Sequence, residues 1–127
     1  MSNEVGIVSS SLIAPSEMEA LVIQLGGSFE RDDAHFPWTI QKDGSAIWIA
    51  LSPEGIPISK EVHGDTLERR LGARIQTLIV VETTSGDAAY RIAYAFTEAV
   101  LKKFPSVAIL PDDELLSSED LRNAAAQ

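Results

Sequence analysis

The chain has 127 residues, no cysteine and a formal net charge of −9. Its size fits one domain, which buries roughly 65–70% of its unfolded surface and so supports a full core. The charge argues against a reader of nucleic-acid backbones, which needs a basic surface, and against a binder of anionic membranes. The missing cysteines exclude a disulfide scaffold and thiolate metal sites, and they suit a reducing cytosol. Met1-Ser2-Asn3-Glu4 lacks the basic head and apolar run of a signal peptide, and no apolar run reaches a transmembrane length. A soluble, cytoplasmic protein of 1–127 as a single globular domain is expected.

Val5 to Ile13 is apolar with Ser9, Ser10 and Ser11 in its middle, and reads as an edge strand or an extended arm. Pro15-Ser16 opens a helix, with Ser16 and Glu19 spaced as a capping box. Met18, Leu21, Val22 and Leu25 share one face, and Gly26-Gly27 stops the helix. Phe29 to Phe36 reads as a loop or short edge strand. Pro37 to Gln41 and Ala46 to Leu51 read as two paired strands, since Asp43-Gly44 between apolar runs is a hairpin signal. Ile47, Ile49 and Leu51 point one way and Ala46, Trp48 and Ala50 the other, so the second strand should be central.

Ser52 to Ser59 holds Pro53 and Pro57, which demote it to a loop with at most an edge strand around Ile56 and Ile58. Lys60 to Leu71 reads as helical, firm from Asp65 after Gly64, and closed by Gly72. Ile75 to Glu82 reads as a buried strand, Asp87 to Phe104 as a helix and Val107 to Leu110 as a strand. Strand-helix-strand normally gives two parallel strands with a right-handed crossover. Pro111-Asp112-Asp113-Glu114 reads as an acidic turn and Ser118 to Ala125 as a short terminal helix. The expected fold is an α+β or α/β sandwich, with a mixed sheet of four to five strands, a central βαβ unit and flanking helices.

Catalytic signatures are missing. Thr83-Thr84-Ser85-Gly86-Asp87 sits where a phosphate loop would, without the glycine spacing or lysine of one, so Thr84 or Ser85 is read as a helix cap. His35 and His63 lack metal-ligand spacing, no serine lies in G-x-S-x-G, and a Glu61–Glu82 carboxylate pair is not something spacing can establish. No cofactor is expected. The loop acids Glu30, Asp32, Asp33, Glu54, Asp112, Asp113 and Glu114 form the more informative set. Trp38 lies near several of them in the chain, either as an aromatic anchor among carboxylates or as core, while Trp48, mid-strand, reads as core. Anchors ringed by acids suit a basic protein partner.

In size, charge and missing catalytic motifs the whole chain resembles the small acidic immunity proteins of bacterial contact-dependent inhibition and related toxin systems. Pro37-Trp38-Thr39-Ile40, Asp43-Gly44, Ile47-Trp48-Ile49 and Leu110-Pro111-Asp112-Asp113 carry the likeness. It implies a non-enzymatic inhibitor that caps a toxin domain, often a nuclease. The chain is also similar in size and charge to acidic secretion chaperones, although those have an antiparallel sheet. A small-ligand-binding domain or small enzyme using a pocket above the core strands is the third reading.

Overall fold

In the computed structural model of the protein, which describes residues 3–29, 37–52, 64–84, 86–110 and 115–125, Asp43 and Gly44 adopt φ of 52° and 80°. Positive φ at both central residues is what a two-residue type I′ hairpin turn requires. The strands it joins are β3 (Trp38–Lys42) and β4 (Ser45–Ser52), with Lys42 opposite Ser45. The other elements in chain order are β1 (Asn3–Ser9), α1 (Pro15–Gln24), β2 (Ser28–Phe29), α2 (Gly64–Leu71), β5 (Thr77–Thr83), α3 (Asp87–Lys103), β6 (Ser106–Ile109), β7 (Leu115–Ser117) and α4 (Ser118–Ala125).

Among the described residues the sheet has seven strands in the order β2-β3-β4-β5-β1-β6-β7. Every neighbouring pair is antiparallel. The α+β class is therefore right, while a mixed sheet of four to five strands is corrected to seven antiparallel ones. β5 and β6 do share the sheet and run in the same direction, but β1 is inserted between them and pairs with both. The expected βαβ unit is thus split by the N-terminal strand. β4 is interior, as its two apolar faces imply.

The serine run explains why β1 escaped notice as a central strand. Ser9 Oγ donates to Pro105 O at 2.7 Å and accepts from Ser11 N–H at 3.1 Å. Thr77 Oγ1 donates to Ser11 O at 2.7 Å and accepts from Ile13 N–H at 3.0 Å. These hydroxyls satisfy the backbone where the chain leaves the middle of the sheet, so they are a requirement of burial rather than a sign of exposure.

Side-chain alternation divides the sheet into two faces. Val5, Ile7, Trp38, Ile40, Ile47, Ile49, Ile79, Val81 and Ala108 belong to the large core, shared with Met18, Leu21 and Val22 of α1 and Ala93, Phe96, Val100 and Leu101 of α3. Leu121 of α4 packs against the same cluster. Val8, Leu78 and Val107 form a smaller cluster on the second face with Leu67 of α2, and Leu71 packs against it.

The helix ends follow local chemistry, with two corrections. At α1, Pro15 is the first helical residue and Glu17 Oε1 accepts the Ala14 N–H at 3.1 Å, so the Ser16–Glu19 capping box does not form. Its C-terminus closes as a Schellman motif, with Gly26 N–H bonded to Ile23 O and Gly27 N–H to Val22 O. At α3 the cap residue is Gly86 and no side-chain cap hydrogen bond is made. Thr84 instead faces β4, its hydroxyl 3.4 Å from Ala46 O.

α4 opens with a reciprocal cap: Asp120 Oδ2 accepts Ser117 N–H at 2.9 Å and Ser117 Oγ accepts Asp120 N–H at 3.1 Å. Arg70 of α2 also reaches Asp120 at 2.6 Å. The Ser117 hydrogen bonds, aided by Arg70, hold the Asp120 carboxyl below its ordinary value of 3.8. A depressed folded pKa contributes stability above the unfolded value and loses it as pH falls through the folded one. Asp120→Ala should cost about 1 kcal/mol near neutral pH, as for a lost cap. The gap to wild type in urea melts should narrow as pH drops below 3.8. A gap that stays constant or widens on acidification would contradict this role.

Candidate functional site

Register places one polar row on the second sheet face. Across β3, β4, β5 and β1, Thr39 lies opposite Trp48, Trp48 opposite Glu82, and Glu82 opposite Glu4. Glu4 is exposed, and Glu82 and Trp48 are half-buried. Neither glutamate has an ion-pair partner among the described residues. Directly opposed like charges on an antiparallel pair are destabilising, and no ion pair among the described residues offsets this one. The next row, Ala50, Val80, Gly6, Ile109 and Leu115, is small or apolar. The Leu67 and Leu71 contacts of α2 lie one row further on, over Leu78, Val8 and Val107.

Of the partner-binding residues expected from sequence, only Trp38 falls in the described part of the chain. Glu30, Asp32, Asp33, Glu54, Asp112, Asp113 and Glu114 lie outside it, as do His35, His63, Glu61 and the Ile56–Ile58 stretch. Trp38 is 4% exposed and belongs to the large core, so it is not an exposed anchor. Its ring stands 6.2 Å from Phe29, which is 44% exposed. The Trp38 indole N–H is buried with no partner among the described residues. Trp48, expected to be core, is only half-buried and belongs to neither hydrophobic cluster.

Strand direction also separates the points where the acidic segments attach. The segment with Glu30, Asp32 and Asp33 joins the end of β2 to the start of β3, and the one with Glu54 leaves the end of β4. Both junctions lie at the sheet end away from the β3–β4 turn. The segment with Asp112, Asp113 and Glu114 follows β6, which runs toward the turn end but stops at Ile109, in the row of Gly6, Val80 and Ala50 and next to that of Trp38 and Ile49. Glu4 and Glu82 lie toward the turn end.

Sequence reasoning missed Glu4 and Glu82 as a pair because their meeting depends on β1 lying beside β5, a contact across most of the chain. The strand-end position of Glu82 was visible; its partner was not. Among the described residues no cluster of His, Asp or Glu has the geometry to hold a metal ion, and no helix is long and apolar enough to cross a membrane. Comparison with protein-family models, with curated proteins and with solved structures finds no match to the chain.

Proposed function

We propose that the protein is a non-enzymatic inhibitor of the immunity type, which neutralises a basic toxin domain by binding it. The Glu4–Glu82 pair beside Trp48 carries this reading. A partner's lysine or arginine placed between the two carboxylates removes a repulsion that the free protein bears, while Trp48 supplies apolar contact. The net charge of −9 adds long-range attraction to any cationic surface. A toxin nuclease, built to hold phosphates, presents such a surface.

The test uses a basic toxin domain recovered from the source cell with the protein as bait. Glu4→Gln with Glu82→Gln should raise the stability of the free protein by about 0.2–1 kcal/mol, because the repulsion is gone. The same variant should bind the toxin at least tenfold more weakly, by loss of charge-assisted contacts. Opposite signs for stability and binding are the signature of a site kept for a partner. Replacing Asp32, Asp33, Asp112 and Asp113 by Asn should slow stopped-flow association and flatten its dependence on salt, since charge that attracts a partner at a distance acts through steering. Unchanged affinity in the Glu4/Glu82 variant, or turnover by the protein alone, would refute the proposal.

A further inference from the structure

On the opposite, helix-covered face, a cleft of about 310 Å³ opens beside the β3–β4 turn. Leu25 at the end of α1, Ile40 of β3, and Ile92 and Phe96 of α3 give it an apolar lining. Lys42 and Arg91 also line it, and both are exposed. Neither makes an ion pair among the described residues. Asp43 is the only carboxylate among the lining residues, so the mouth is locally cationic on a strongly anionic protein. Neither cation takes part in a hydrogen bond or ion pair that holds the fold together among the described residues. The volume stands at the lower edge of the ~300–1,000 Å³ typical of ligand sites.

We infer that this cleft binds a small amphipathic carboxylate. The apolar body of the ligand lies along Leu25, Ala88 and Ile92, over the buried Ile40 and Phe96, and its carboxylate sits between Lys42 and Arg91. The arginine fork matches a carboxylate in two parallel hydrogen bonds, and lysine adds a point charge. The apolar lining disfavours nucleotides, and the cationic mouth disfavours neutral and cationic ligands. The site is independent of the Glu4–Glu82 row, which lies on the other face of the sheet.

The experiment is an amide-shift NMR titration of the full chain with phenylbutyrate and with its neutral analogue phenylbutanamide. Phenylbutyrate should give saturable shifts confined to Ile40–Asp43 and Ala88–Phe96, and bind roughly tenfold or more tightly than the amide. Arg91→Gln should remove that preference. Ala95→Trp should abolish both interactions by filling the cleft, and because Ala95 is exposed the fold should survive, as a matching urea midpoint would confirm. Failure of phenylbutyrate to saturate, equal binding of the amide, or shifts that persist in Ala95→Trp would overturn the assignment.

Discussion

Phe96→Ala is expected to cost about 3–5 kcal/mol in urea melts, the usual range for emptying a buried aromatic site. Phe96 is completely buried and packs in the large core with residues of α1, α3 and the central strands. Of the residues in that cluster, Ile47 and Ile79 are β-branched and fixed in the sheet, and Ala93 on its own helix is small. None can extend toward the void without dragging backbone. A stability of ~5–15 kcal/mol is normal for a domain, so the variant should be close to the edge of folding at 37 °C. A loss below about 1 kcal/mol would mean that α3 does not seat on the sheet through this ring.

Gly27→Ala is the second large effect, and it inverts a simple expectation about adjacent glycines. Gly26 has φ of 88°, where a side chain is strained, but open space surrounds its missing Cβ. An alanine there should cost about 1–2 kcal/mol of backbone strain. At Gly27 a Cβ would lie 2.5 Å from Thr39 O, 2.6 Å from Val22 Cγ1 and 2.7 Å from Ile40 Cγ1. The first of these is backbone in a strand bonded on both sides, so no rotamer change relieves it. Gly27→Ala should therefore cost about 3 kcal/mol, at the upper end of ordinary overpacking, by prying α1 and β2 from β3. Denaturant melts of the two single variants decide the matter. Gly26→Ala proving the more damaging would show that turn strain, not the close approach, governs this corner.

These two positions illustrate what could and could not be read from the chain. Phe96 was visible because Ala89, Ala93, Phe96 and Val100 recur at helical spacing, a local signal that the fold obeys. The β3–β4 hairpin was visible because Asp43-Gly44 encodes its turn within two residues. Gly27 was visible only as half of a helix stop. Its true constraint comes from β3, which the chain reaches after the segment 30–36, and no local pattern announces such an approach. The same reason hid β7, whose three residues are held by pairing with β6, and β1, whose serines bond to Pro105 and Thr77. Charge at the site divides likewise. The acid-rich segments stand out by composition, whereas the Glu4–Glu82 opposition exists only once β1 and β5 are side by side.

The account turns on binding without turnover, and titrating toxin activity tests that most directly. Residual activity of the toxin domain is measured against increasing amounts of this protein, at toxin concentrations well above the dissociation constant. A binding inhibitor removes activity linearly and reaches its endpoint at about one equivalent, since each molecule occupies one toxin. An enzyme that modifies the toxin would reach the endpoint far below one equivalent, in a time-dependent way. A secretion chaperone would leave activity intact at every ratio. A sharp one-to-one endpoint that Glu4→Gln with Glu82→Gln blunts is the result the account predicts; a catalytic endpoint, or undiminished activity, would contradict it.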